Sequence, residues 1–305
     1  MDKEDSENYK CFLDTLDKKI LLSDGAMGTE LQARGVSGCP DAANIHKEDT
    51  EKVISVHLGY LESGSDIIQT NTFGANPIKL DSYGLADKTE EINKNAVLAA
   101  RQAIETYETE SASTKIHFVA GGLASTGKLM EPLGSLKHDR IVESFSRQIS
   151  ALVESGVDFL LIETIMDINE ALAAVEAARK ISDKIPVACT LSFGANGVTL
   201  MGDKAETSAG ALLDSGCDIV GANCSIGSDS MLGIVRKMRS AQPEARLIFQ
   251  PNAGLPVLKE GKTIFNETPD IMADNIKKYL EYRPSILGAC CGSTPDHIRK
   301  IASLL

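Results

Sequence analysis

Short apolar runs alternate along this chain with amphipathic segments of helical period. The runs are Ile20–Ser23, Asp66–Gln69, Lys115–Ala120, Asp158–Ile162, Pro186–Leu191, Cys217–Gly221, Arg246–Gln250 and Ser285–Gly288. Most are continuously apolar, which is how strands buried on both faces of a parallel sheet read. Between them, Ile92, Ala96, Ala99, Ala103 and Ile104 fall on one helical face. So do Ile141, Phe145, Ile149 and Leu152, and again Ile168, Leu172, Val175 and Ala178. Thr268-Pro269-Asp270 and Thr294-Pro295-Asp296 are helix starts, with Thr at the N-cap and Pro at the first helical position.

A weak repeat reinforces the alternation. Glu62-Ser-Gly-Ser-Asp-Ile-Ile, Glu154-Ser-Gly-Val-Asp-Phe-Leu and Asp214-Ser-Gly-Cys-Asp-Ile-Val precede the second, fourth and sixth runs. Each reads as a helix ending on a left-handed glycine with a strand directly after it. Eight strands alternating with helices predict an α/β fold, a single-domain (β/α)8 TIM barrel. A doubly wound open sheet also fits the pattern alone. No Pro-rich, Gly/Ser-rich or single-charge linker divides the chain. We expect a charged, solvated lead-in over residues 1–18 and the barrel over 19–305. Gly25–Asp49 is long for one connection and should contain extra structure.

Composition narrows the function. The net charge of −12 argues against a nucleic-acid binder or a polybasic membrane-surface protein. There is no run of 18 apolar residues to span a membrane. The start, Met1-Asp2-Lys3-Glu4-Asp5, is too polar for a signal peptide. Seven cysteines at irregular spacing do not form a secreted disulfide framework, so the expected setting is the reducing cytoplasm.

In a barrel of this type chemistry sits where strands end. Cys224 closes the sixth run, and Cys290-Cys291 close the eighth. Three thiolates with an open fourth position suit a catalytic zinc, and soft donors favour zinc over hard cations. Taken singly, each could be an ordinary small buried hydrophobe. Cys189 and Cys217 read as core, while Cys11 and Cys39 have no assigned partner. Asp24 closes the first run and Glu163 the fourth. Asp24 could instead cap a turn, and Glu163 could make a salt bridge in the rim. Together they could bind a substrate ammonium. Glycine-rich ends at Gly25 and at Gly121-Gly122 could offer backbone N–H groups to a carboxylate. Ammonium, carboxylate and a soft-ligand metal describe an amino acid carrying a thiol.

Other signals are weaker. The Gly121–Gly127 stretch lacks the Gly-Lys-Ser/Thr order of a phosphate loop, and no dinucleotide fingerprint follows the first run. No two of the five histidines have ligand spacing, and His297 reads as a surface or capping residue.

The motifs Asp24-Gly-Ala-Met-Gly-Thr-Glu-Leu, Gln69-Thr-Asn-Thr-Phe-Gly-Ala-Asn, Glu163-Thr, Gly221-Ala-Asn-Cys-Ser, Gln250-Pro-Asn-Ala-Gly-Leu-Pro and Gly288-Ala-Cys-Cys-Gly-Ser-Thr-Pro-Asp-His-Ile together resemble the homocysteine S-methyltransferase family. The likeness runs from about residue 20 to 303 and leans toward the homocysteine-binding modules of the cobalamin-dependent branch. It implies a (β/α)8 barrel with zinc on Cys224, Cys290 and Cys291. It implies that Asp24 and Glu163 receive the homocysteine ammonium, and that Gly25 and Thr70 contact the amino-acid portion. Asn252 resembles the group that fills the fourth zinc position before substrate arrives. The betaine-using branch needs aromatic walls. This chain has no Trp, and Gly74 stands where that branch places a Tyr. The S-methylmethionine branch remains open.

The resemblance implies that a zinc-activated homocysteine thiolate takes a methyl group to form methionine. The expected donor is a methylcorrinoid on a partner protein, since no Asp-x-His-x-x-Gly corrinoid motif occurs in the chain. Alternatives are a different thiol acceptor, S-methylmethionine as donor, or a non-catalytic zinc and thiol amino-acid binder.

Overall fold

A computed structural model describes residues 3–259 and 262–305, so Met1 and Asp2 of the lead-in segment lie outside the described residues. Eight parallel strands form the central sheet: β1 (Leu21–Leu22), β2 (Ile67–Gln69), β3 (Phe118–Ala124), β4 (Phe159–Ile165), β5 (Val187–Leu191), β6 (Ile219–Gly227), β7 (Arg246–Asn252) and β10 (Ile286–Leu287). Their order is β1-β10-β7-β6-β5-β4-β3-β2. A parallel bridge between Ser23 and Ile67 joins the two ends, so the sheet closes on itself. The structure is therefore the (β/α)8 barrel, and the open-sheet alternative is set aside.

The predicted helical faces are buried in α5 (Thr89–Ser111), α6 (His138–Glu154) and α7 (Ile168–Ile181), with Ile168 and Leu172 only partly covered. The Thr-Pro starts open α10 (Pro269–Lys277) and α11 (Pro295–Ala302). Gly25–Asp49 holds α2 (Gly28–Ala33), a 3-10 turn at Pro40–Ile45 and the start of α3 (Lys47–Glu62). The sequence reading did not anticipate the antiparallel hairpin β8 (Pro256–Lys259) and β9 (Lys262–Phe265), inserted after β7.

The three-fold repeat has a physical purpose. Its glycines, Gly64, Gly156 and Gly216, all have positive φ. Each following aspartate turns its carboxylate onto the preceding barrel strand. Asp66 accepts from Leu22 N, Asp158 from Val119 N and Asp218 from Val187 N, at 2.8, 2.6 and 2.8 Å. Lys19, Arg101 and Arg179 neutralise the three carboxylates.

The lead-in is a helix, α1 (Lys3–Leu16), but not a solvated one. Its Tyr9, Phe12 and Leu16 are buried. Phe12 stacks on Phe159 at 4.3 Å between centroids and meets Phe118 edge-on at 5.2 Å. With Leu21, Ile67, Leu161, Ala188, Ile219, Ile248 and Ile286 they form an apolar floor inside the barrel. Side chains on a strand alternate faces, so further inward positions lie two residues on or, on β3 and β6, four residues beyond Phe118 and Ile219. These are Ser23, Gln69, Gly122, Glu163, Thr190, Asn223 and Gln250. A polar layer thus sits directly above the apolar floor.

Candidate functional site

β3 runs three residues beyond Gly121, which changes the reading of its glycines. Gly121 and Gly122 are strand interior, not an open loop. Gly122 donates its N–H to Thr70 Oγ1 at 3.0 Å, so it does not offer it to a ligand. Its lack of a side chain makes room instead, since a Cβ there would lie 2.8 Å from Gln69 Nε2.

The thiols come from two strand ends. β6 and β7 pair regularly up to Asn223 and Gln250, then slip until Gly227 faces Asn252. Within that slip Cys224 and Ser225 both have φ +60, a costly conformation for residues with a Cβ. The slip points Cys224 toward the loop after β10. That loop is fixed by Cys290 N donating to Pro251 O at 2.8 Å and Ala253 N to Cys291 O at 3.0 Å. Phe265 of the hairpin packs on Gly292, where φ is +79. Buried His297, a helix cap as expected, accepts from Thr294 N at 3.1 Å. The three Sγ atoms lie within 4.8 Å of one another, and Cys224 to Cys291 is 3.9 Å. A tetrahedral site with bonds near 2.3 Å has sulfur–sulfur edges of about 3.8 Å. The donor set and spacing therefore fit zinc.

S–H donors from Cys290 and Cys291 hold the Cys224 thiol far below its usual range, while Cys290 and Cys291 are pushed up by sharing those protons. One negative charge spread over three sulfurs is a natural partner for a cation. Asn252 lies beside them and also donates to Cys224, while its buried Oδ1 has no partner among the described residues. That leaves an oxygen donor spare next to the thiols.

The two carboxylates are buried within the polar layer. Asp24 Oδ2 accepts from Gln69 N at 2.8 Å, and Ser23 Oγ contacts its other oxygen at 3.3 Å. Glu163 accepts from Gln69 Nε2 and, at 3.1 Å, from Asn223 Nδ2. Burial raises Asp24 to about 7 and Glu163 to about 8, Glu163 being raised further by the Cys224 charge. Neither has a cationic partner among the described residues, so Glu163 makes no rim salt bridge there, while Asp24 does take up a backbone N–H at the end of β2. Gln69 and Asn223 were not singled out from sequence. Both stand at strand ends in the sequence without a role of their own, and inward alternation was the signal that could have given them one.

Gly25 makes close packing possible, since a Cβ would lie 2.5 Å from Ser293 Oγ and 2.9 Å from Tyr60 OH. Thr70 Oγ1 is engaged by Thr72 Oγ1 at 2.6 Å and by Gly122 N. A cavity of about 320 Å³ joins Asp24, Gly25, Thr70, Glu163, Cys290 and Cys291, and extends outward past Asp41, Phe73, Lys79 and Tyr83. Cys189 and Cys217 lie in the core, as expected.

A closed parallel barrel with thiols and buried carboxylates at the C-terminal ends of its strands has the build of a barrel enzyme that handles a small polar substrate. Residues 21–305 match the family model for homocysteine S-methyltransferase, and the chain belongs to that family. Methionine synthase of Mycobacterium leprae is 31% identical over 304 residues, covering 95% of this chain and 25% of that protein. The Mycobacterium tuberculosis methionine synthase gives the same figures. The chain thus spans about a quarter of the length of these curated relatives. In fold it is similar to the homocysteine methyltransferase MmuM from Escherichia coli. The oxidized form superposes with a TM-score of 0.80 at 23% identity, over 94% of this chain and 97% of that one. The metallated form gives 0.79 at 22% identity, over 95% and 98%. No helix among the described residues is long and apolar enough to cross a membrane.

Proposed function

We propose that this chain activates homocysteine on zinc held by Cys224, Cys290 and Cys291, and that the homocysteine sulfur takes a methyl group to form methionine. The observation that carries this is one cavity walled by two buried carboxylates and by Cys290 and Cys291 of the three-thiol cluster. Zinc in this site would keep a coordinated thiol ionised at neutral pH, where a free thiol of pKa ~8.5 is mostly protonated.

The protein's own residues do the rest. Asp24 and Glu163 receive the ammonium and aim the amino acid; they are not placed to move the thiol proton. Gln69 holds the two carboxylates in register, by its backbone to one and its side chain to the other. Asn252 Oδ1 is the candidate fourth ligand before substrate enters. With its hydroxyl engaged, Thr70 joins Gly25 in shaping the wall at the amino-acid end.

For the donor, we favour a methylcorrinoid carried on a partner protein. Phe73, Leu133, Met166, Leu200, Leu255 and Leu258 are all exposed, and all come from segments that follow barrel strands at the mouth. Apolar side chains gathered there suit a macromolecular visitor. A second reading, S-methylmethionine, draws support from Phe73, Tyr83 and Asp41 in the outer cavity, since aromatic faces and a carboxylate suit a sulfonium. Betaine is disfavoured. A Cβ at Gly74 would lie 2.9 Å from Asp41 Oδ2, so an aromatic wall cannot start there without displacing Asp41.

The deciding experiment is a donor screen with the zinc-loaded protein and homocysteine, comparing methylcobalamin, S-methylmethionine and betaine. Methionine from methylcobalamin supports the favoured reading. Methionine from S-methylmethionine alone selects the second. No turnover with any donor overturns the enzyme assignment and leaves a binder. Alanine at Cys224, Cys290 or Cys291 should abolish stoichiometric zinc, measured by metal analysis after dialysis.

A further inference from the structure

Asn223 is 1% exposed and lies in the polar layer, one residue before the strained Cys224. Its side chain has five polar neighbours. Oδ1 accepts from Thr164 N and from Thr190 Oγ1, both at 2.8 Å. Nδ2 donates to Thr164 Oγ1 at 2.7 Å and Glu163 Oε2 at 3.1 Å, and lies 3.9 Å from Cys290 Sγ. The Thr164 N–H, which can only donate, fixes which end of the amide is oxygen. The N–H end must then face the carboxylate and the thiol.

The backbone around this amide is irregular on both sides. β4 slips against β5 between Ile162 and Ile165, and Thr164 has φ +57. β6 slips against β7 directly after Asn223. A slipped strand leaves main-chain groups without ladder partners, and Asn223 supplies the partner for Thr164 N. The same side chain therefore holds the bulge that presents Glu163 while touching one of the thiols.

We propose that Asn223 is a positioning residue that sets the separation between the ammonium-binding carboxylate Glu163 and the thiol cluster, and so selects an amino thiol of homocysteine's length. This rests on the homocysteine reading above. If Asn223 acts this way, its removal uncouples the two ends of the substrate. Affinity gained from the amino group should fall, while the thiols still take up metal.

The test is calorimetric titration of the zinc-loaded protein with homocysteine and with 4-mercaptobutyrate, which lacks the amino group. Wild type should prefer homocysteine strongly. Asn223→Ala should keep stoichiometric zinc, weaken homocysteine by roughly ten- to hundredfold, and leave 4-mercaptobutyrate little changed. In a double-mutant cycle with Glu163→Gln, the two losses should be clearly less than multiplicative. Because Asn223→Ala removes several buried hydrogen bonds, Thr190→Val is the milder second variant. It frees one side of the amide and should lower the homocysteine preference in the same sense by a smaller factor. An unchanged preference in both variants, or losses that multiply in the cycle, overturns the proposal. Zinc lost from both variants overturns it too, because Asn223 would then serve the metal site alone. Failure of the wild type to bind homocysteine overturns the underlying reading instead.

Discussion

Asp24 and Glu163 carry pKa values near 7 and 8 because burial disfavours their charged forms. Below these values they hold protons that the proposed substrate ammonium would have to displace. Above them they stand ready as anions. Methionine, whose thioether has no proton to lose, should therefore bind more tightly as pH rises from about 6 to about 8. The gain should be steepest below 7, where both carboxyls must ionise, and should level off above 8. Glu163→Gln should remove the upper part of this profile and weaken methionine by roughly tenfold or more. Calorimetry across the pH range reads both effects, and a flat profile in the wild type would count against ammonium binding at these residues. At this scale the sequence was legible where chemistry is intrinsic to residue type. Three cysteines and two carboxylates at run ends announce themselves. Gln69 and Asn223 do not, because an amide acquires its role only from partners far away in the chain, such as Glu163.

Among the elements, α3 buries His57 completely, with neither ring nitrogen partnered among the described residues. Its pKa falls from 6.5 to about 4. As pH drops through 6.5 the unfolded chain gains a proton there that the folded chain refuses. Stability should thus fall between pH 6.5 and 4, by about 3 kcal/mol at most. His57→Leu should flatten that acid slope in denaturant melts at pH 5 without altering homocysteine binding. The repeat aspartates make a complementary case. Asp158→Ala strands Val119 N and Arg101 at the floor, and should cost about 1–3 kcal/mol of stability with the mouth untouched. Urea melts paired with zinc content separate the two. Element type was readable from periodicity, as the burial of α5 and α6 shows. Strand ends were not. The glycine pair in β3 reads as a loop because small residues break an apolar run, yet both pair with Leu160 and Leu161 of β4, and Gly122 leaves the space that Gln69 takes.

For the molecule as a whole, the barrel could be counted from eight runs, but its two ends had to be seen. Nothing in the charged α1 segment says that Phe12 closes the floor, since Tyr9 and Phe12 among acids and lysines read as solvated. Nor does the run pattern say that the mouth is rimmed with exposed leucines. Leu200 and Leu258 are the most exposed of these, at 81% and 76%. If a corrinoid protein docks there, Leu200→Asp combined with Leu258→Asp should slow methyl transfer from that protein by about tenfold. Transfer from free methylcobalamin should be unaffected, and equal slowing of both reactions would argue against docking at the rim.

The Phe12 plug leaves the barrel with one door. Whatever enters to react and whatever leaves as product must use the opening past Phe73 and Tyr83. A donor that arrives on a protein covers that opening while it is bound. On the proposed reading homocysteine would already be inside when the donor settles, and methionine would wait until the donor lifts away. A second homocysteine cannot slip past from beneath. If the donor is the proposed protein-borne one, turnover on this architecture would be a queue, with the amino acid first in and last out.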